Sequence, residues 1–196
     1  MRNLVVFNHI SLDGYFVDVN GSMMWAHGGR STTDDEWNAF VAGNASGEGT
    51  LLFGRITYDL MVSYWPTPMA KQNDAAVAER MNALPKVVFS RTLDKAAWNN
   101  TKLVKGELTS EVRKMKNEAG EGMVILGSGS IVSQLAQEGL IDSYQFVVNP
   151  TVLGKGRSMF EGVKDKMSLK LTKTRAFSNG NVFLSYDLVA GGEHRD

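Results

Sequence analysis

The feature that most constrains this chain is a set of short, nearly unbroken apolar runs separated by segments with helical spacing. Leu4–Phe7, Thr50–Phe53, Lys86–Phe89 and Met123–Leu126 are each about one strand long. Successive strand residues point to opposite faces, so a run apolar at every position must be covered on both sides. The intervening segments supply covers. One helix is expected through Trp37, Phe40 and Val41, with N-cap chemistry in Thr32-Thr33-Asp34. Others are expected over Ile56–Val62, from Asn73-Asp74 through Met81 to Leu84, over Thr109–Ala119 with Thr109 or Ser110 as cap, and over Ser130–Glu138. Lys102–Val104 reads as a weaker strand. Strand and helix thus alternate through the first two thirds, which requires a mostly parallel sheet.

The last third is richer in strands. Tyr144–Asn149, Leu169–Phe177 and Val182–Tyr186 read as extended, and Asn179-Gly180 between the last two signals a hairpin. The expected fold is a single α/β domain over residues 1–189. It has a mixed, mostly parallel open sheet flanked by helices and a C-terminal antiparallel hairpin. Residues 190–196, Gly-rich and charged, read as a flexible tail.

Composition narrows function by exclusion. The chain has no cysteine, which removes disulfides, thiolate metal sites and thiol nucleophiles. Its three histidines lack paired ligand spacing, so no metal site is expected. The formal net charge is zero, so no global field draws the chain to nucleic acid or anionic lipid. The first apolar run is too short for a signal-peptide core, and none reaches membrane-spanning length, so a cytoplasmic protein is expected.

Three expected strands end where glycines, hydroxyls and arginines gather: Gly54-Arg55-Ile56-Thr57, Ser90-Arg91-Thr92 and Gly127-Ser128-Gly129-Ser130. In open α/β sheets ligands bind beyond the carboxyl ends of the strands. Glycines admit a pyrophosphate, a helix start attracts anions, and an arginine can grip a separate phosphate. Taken singly, each motif is equally the chemistry of a strand-to-helix turn. Gly127-Ser128-Gly129 is not the dinucleotide fingerprint, because Val132 occupies its third glycine position.

In this order the motifs resemble the dihydrofolate-reductase-like superfamily, in the branch similar to the C-terminal reductase domain of the bifunctional riboflavin deaminase-reductase. The resemblance rests on Ser11-Leu12-Asp13-Gly14, Gly54-Arg55-Ile56-Thr57-Tyr58, Ser90-Arg91-Thr92-Leu93, Gly127 to Val132, Gly139-Leu140-Ile141-Asp142 and the segment from Asn149 to Phe160. It spans about residues 3 to 188. It implies an NADPH-dependent reductase acting on a riboflavin-precursor pyrimidine or a pterin-like heterocycle, with a cofactor-binding module without turnover as the alternative. It further implies that Gly54, Arg55 and Thr57 face the cofactor phosphates and that Ser90, Arg91 and Thr92 hold the adenosine 2′-phosphate. Gly127, Ser128, Gly129, Ser130, Ile131 and Val132 would carry the pyrophosphate, and Ser11, Asp13 and Gly14 would border the nicotinamide. Asp13 and Asp34 are the candidate catalytic carboxylates, although Asp34 also suits a helix start beside Asp35 and Glu36. His9, Tyr58 and Trp65 are candidate substrate contacts. Trp25 is a further flat surface, and His27 and Arg30 could meet a substrate phosphate. Relatives are commonly dimers, so a homodimer is expected. Without cysteines the chain cannot carry the zinc deaminase chemistry of the fused enzyme.

Overall fold

The structure is a computed structural model that describes residues 1–26, 34–45 and 48–189. In chain order its elements are β1 (Leu4–Ser11), β2 (Tyr15–Asp18), α1 (Asp35–Ala45), β3 (Thr50–Gly54), α2 (Arg55–Tyr64), α3 (Pro68–Asn73), α4 (Ala75–Ala83), β4 (Lys86–Phe89) and β5 (Thr101–Val104). They continue with α5 (Leu108–Asn117), β6 (Met123–Leu126), α6 (Gly129–Gln137), β7 (Ser143–Asn149), β8 (Gly156–Ser158), β9 (Leu169–Ala176) and β10 (Val182–Leu188). An eight-stranded sheet has the order β5-β4-β3-β6-β1-β7-β10-β9. Strands β5, β4, β3, β6, β1 and β7 are all parallel, while β10 is antiparallel to both β7 and β9. This is the expected α/β sheet with its C-terminal hairpin.

The apolar runs divide their side chains between cores, as unbroken runs must. Leu52, Ile125, Val6 and Tyr144 join one core with Val112 of α5 and Ile131 and Leu135 of α6. Leu51, Phe53 and Val88 point the other way, onto Tyr58 of α2 and Val77 and Met81 of α4. Leu52 and Phe53 are both 0% exposed, and full burial of such side chains stabilises by roughly 1.5–3 kcal/mol each. A third cluster packs Trp37 and Phe40 of α1 on Val147, Phe177 and Phe183.

Several local expectations are corrected. Strands β2 and β8 pair as a separate two-stranded sheet, and neither was legible. β8 is the polar triplet Gly156-Arg157-Ser158, too short to show a period. The cap of α5 is Glu107, not Thr109 or Ser110: its carboxylate accepts from Thr109 N at 2.9 Å and Ser110 N at 2.7 Å. Pro68 opens an additional short helix, α3, capped by Thr67. The hairpin turn is wider than Asn179-Gly180, since Phe177 N donates to Asn181 O at 2.9 Å. Lys86 is buried despite its charge. Its Nζ donates to the carbonyls of Met81, Asn82 and Leu84 at the end of α4, and burial lowers its pKa to about 8. Thr32, Thr33, His27, Arg30 and the 190–196 tail lie outside the described residues. Among the described residues, no helix is long and apolar enough to cross a membrane.

The Glu107 cap gives a test with a defined sign. Hydrogen bonds from the backbone amides of Ser110 and Thr109 lower its pKa to about 2 in the folded chain. A carboxyl depressed on folding stabilises fully above its unfolded pKa, and that stability is lost as pH falls through the folded value. Wild type should therefore melt above Glu107→Gln at pH 6, and the gap in Tm should close between about pH 4.5 and pH 2. A gap independent of pH would refute the carboxylate cap.

Candidate active site

Because β4, β3, β6, β1 and β7 are parallel neighbours, their carboxyl ends form one continuous rim. Along it stand Ser90-Arg91 after β4, Gly54-Arg55 after β3, Gly127 to Ser130 after β6, Ser11 to Gly14 after β1, and Asn149 at the end of β7. From β4 to β1 is three strand spacings, about 14 Å. The chain leaves β3 toward β4 but leaves β6 across β1 toward β7, so connections diverge between β3 and β6. In open α/β sheets such a divergence marks the switch point at which a ligand-binding crevice is expected.

The crevice is built by side chains that fix one turn. Gly127 and Ser128 are both left-handed, with φ of 57° and 58°. Thr57 Oγ1 accepts from Ser128 N at 3.0 Å, and Ser128 Oγ accepts from Gly54 N at 2.9 Å while donating to Leu126 O at 3.1 Å. Asn8 Oδ1 accepts from Gly127 N at 2.7 Å. Ser128 therefore gives α6 no side-chain cap. The first amides of a helix have no intrahelical partner, so this open start is suited to an anion. Glycine is required at both ends of the turn. A Cβ on Gly127 would meet Thr57 at 3.0 Å in a left-handed backbone, and one on Gly129 would come within 2.6 Å of the Phe16 ring.

The remaining sequence-derived residues separate into groups. Ser90 Oγ accepts from Leu93 N at 3.0 Å and Thr92 N at 3.3 Å, forming a tight turn that leaves Arg91 and Thr92 exposed at the rim. Arg55 is at the rim but engages Asp59 at 2.6 Å on its own helix. Gly54, Thr57 and Gly127 to Ser130 meet at the switch point, with Gly127, Ser128 and Gly129 buried and Ser130 exposed. Ile131 and Val132 are buried in the core beneath it. Ser11 is 0% exposed, and its hydroxyl donates to Asp13 Oδ1 at 2.6 Å. Asp13 also accepts from Leu153 N at 3.1 Å and Gly154 N at 2.7 Å. The bond from Ser11, then those from the two amides, hold the Asp13 carboxyl below the usual carboxylate range. Through these three bonds the carboxylate anchors the β1–β2 turn to the 153–154 loop.

At the other end of the rim, Asp34 is 8% exposed, accepting from Trp37 N at 2.9 Å and from Ser178 Oγ at 2.9 Å. Both oxygens are thus committed, one to capping α1 and one to the β9–β10 turn. His9 packs edge-on to Trp37, and its Nδ1 faces Asn149 Nδ2 at 3.3 Å. That amide nitrogen also donates to the carbonyls of Ile10 at 3.3 Å and Val147 at 3.1 Å.

Tyr58 and Trp65 do not join the rim. Tyr58 is 2% exposed, and its hydroxyl accepts from Ala97 N and Trp98 N, so its ring has no face for a substrate. Trp65 ends α2, about 15 Å along the helix from Arg55, and its carbonyl accepts from Asn82. Trp25 lies in the short 3₁₀ turn Met24–Ala26, with its indole N–H on Ser22 O. Sequence reading passed over Asn8, Phe16 and Asn149. The first had a signal, a polar residue in register with the inward-facing Leu4 and Val6.

No group of three or more His, Asp or Glu side chains among the described residues could hold a metal ion. The model of the RibD C-terminal domain family matches residues 2–183. The chain belongs to the RibD C-terminal domain family. This membership supports a reductase role. The uncharacterized protein YyaP of Bacillus subtilis (strain 168) is 28% identical over 185 residues, covering 94% of each chain. A putative riboflavin biosynthesis protein from Shewanella sp. PV-4 superposes with a TM-score of 0.71 at 23% identity, over 95% of this chain and 99% of that one. A deaminase/5-amino-6-(5-phosphoribosylamino)uracil reductase from Thermotoga maritima gives 0.65 at 14% identity, with 96% of this chain matching 57% of the longer one. These two likenesses show the fold.

The packing of Phe16 on Gly129 is directly testable. Gly129→Ala is expected to destabilise by about 1–3 kcal/mol, because the ring must move. Phe16→Leu alone is expected to cost about 1 kcal/mol, and in the Gly129→Ala background to recover more than half of the loss. Additive effects in a denaturant-unfolding cycle would rule out the contact.

Proposed function

We propose that this chain is an NADPH-dependent reductase that delivers hydride to a small heterocyclic substrate of the riboflavin-precursor pyrimidine type. The observation that carries the reading is the order of groups on one rim. An exposed arginine stands at β4, an open helix start at β6, and a small-residue turn at β1. An extended NADPH has the same sequence of parts: 2′-phosphate, diphosphate, nicotinamide. Residues fit the cofactor where Ser128 leaves α6 without a side-chain cap.

When bound, NADPH supplies the hydride for an electrophilic carbon of a C=O or C=N group. Arg91 and Thr92 would take the 2′-phosphate, with Ser90 shaping their turn. Gly129 and Ser130 would offer amides to the diphosphate. The turn Ser11 to Gly14, held by Asp13, would close the nicotinamide end. The substrate would lie against His9, at the end of the rim where Asn149 and Trp37 pack on its ring. Asp34 shapes this wall through α1 and the Ser178 bond. At 8% exposure, with each oxygen accepting one bond from the protein, little of this carboxylate is accessible to a ligand.

NADPH titration followed by loss of the nicotinamide absorbance in the presence of the phosphoribosylamino-pyrimidine tests the reading. Wild type should bind NADPH and oxidise it only with substrate. Arg91→Ala should weaken NADPH about 10- to 100-fold while leaving NADH binding unchanged, the effect of one charge-assisted contact. Tight binding without oxidation across pyrimidine, pterin and carbonyl substrates would instead assign a cofactor-binding module. No binding at all would refute both.

A further inference from the structure

We infer that Asn8 is a positioning residue for the cofactor diphosphate: its side-chain amide clamps the Gly127 peptide and so sets the first turn of α6. Asn8 is 2% exposed and lies on β1, next to β6 in the sheet. Its Oδ1 accepts from Gly127 N at 2.7 Å and its Nδ2 donates to Gly127 O at 3.2 Å. Nδ2 also lies 3.5 Å from the Met159 sulfur. One side chain thus satisfies both polar groups of a single residue. β6 stops at Leu126, so the sheet ladder no longer serves Gly127, and buried backbone groups need a partner. The neighbouring inward positions of β1, Leu4 and Val6, are apolar. An amide among them costs free energy unless both its ends are bonded, and here they are.

The clamp decides which amides a ligand can reach. Gly127 N is held by Asn8 and Ser128 N by Thr57, while Ile131 N and Val132 N both donate to Ser128 O at 2.8 and 3.0 Å. The donors left for a diphosphate are Gly129 N and Ser130 N, the opening pair of α6. Their direction follows from the left-handed Gly127 and Ser128. A left-handed backbone is intrinsically unfavourable for the non-glycine Ser128, so the turn needs external restraint. Asn8 supplies it from β1, Thr57 from α2 and Ser128 itself by bridging to β3. This inference rests on the proposed NADPH site.

Amide hydrogen exchange and NADPH titration of the same protein test it. In wild type without cofactor, the Gly127 amide should already exchange slowly, and NADPH should shift the Gly129 and Ser130 resonances most. A Gly127 amide that exchanges freely and becomes protected only on adding NADPH would be a ligand contact, and the clamp would be overturned. Asn8→Leu keeps the branched shape and removes both bonds. It should speed Gly127 exchange and raise the NADPH Kd about tenfold, the effect of one lost hydrogen-bonding arrangement. Asn8→Asp reads the chemistry more sharply. A protonated carboxyl can accept from Gly127 N–H and donate to Gly127 O, whereas a carboxylate cannot donate and faces the phosphates with like charge. The ratio of its Kd to that of wild type, which cancels the titration of the 2′-phosphate, should be near one at pH 5 and rise about tenfold or more by pH 8. Normal NADPH affinity in Asn8→Leu with faster Gly127 exchange, or a flat ratio near one for Asn8→Asp, would overturn the positioning role while leaving the reductase reading intact. Failure of wild type to bind NADPH would sink that reading, and this role with it.

Discussion

The two left-handed residues at the end of β6 can persist only because three other elements hold them. Gly127 and Ser128 turn the chain from a buried strand straight into α6 with no loop between. Asn8, Thr57 and the Ser128 hydroxyl tie that turn to β1, α2 and β3. The same bonds leave the start of α6 without a side-chain cap, since the hydroxyl that would ordinarily cap the helix is used sideways. Phe16 then braces the turn against the β2–β8 pair. A rigid, uncapped helix start at the centre of the rim is the consequence, and the positions of Arg91 on one side and the β1 turn on the other have meaning only relative to it.

Around that centre the rim separates roles that a single carboxylate cluster would merge. Asp13 and Asp34 are both at the rim, and both are fully engaged with the protein, one through Ser11, Leu153 and Gly154 and the other through Trp37 and Ser178. Their work is to hold the 153–154 loop and the β9–β10 turn at the edges of the cleft. His9, beside Asn149 and Trp37, lies at the same end of the rim as Asp34. On the proposed reading, such a site would position its reactants and leave the electron pair to the cofactor.

Much of this was legible in sequence because it depends on local patterns. Unbroken apolar runs forced two-sided burial, so the parallel sheet followed from Thr50–Phe53 and Met123–Leu126 alone. The motifs after β3, β4 and β6 were legible as strand ends, and adjacency in the sheet turned them into one rim. What was not legible depends on contacts distant in the chain. Tyr58 and Trp65 looked like ring-stacking surfaces because an aromatic on a helix carries no mark of which way it faces. Tyr58 serves backbone amides near β5, and Trp65 lies at the far end of α2. Glu107 outcompeted Thr109 and Ser110 as a cap because a longer carboxylate reaches two amides. Asn149 could not be connected to His9 from spacing, since the pairing of β1 with β7 brings them together.

A crystal structure of the NADPH complex tests the central claim most directly. The expected density runs along the carboxyl rim, with the diphosphate on Gly129 N and Ser130 N, the 2′-phosphate at Arg91, and the nicotinamide beside the Ser11–Gly14 turn facing His9. A cofactor bound elsewhere would contradict the claim, for instance in the open groove between α1 and β9 lined by Phe40, Gln145, Lys173 and Arg175. So would a diphosphate that displaces Asn8 from Gly127.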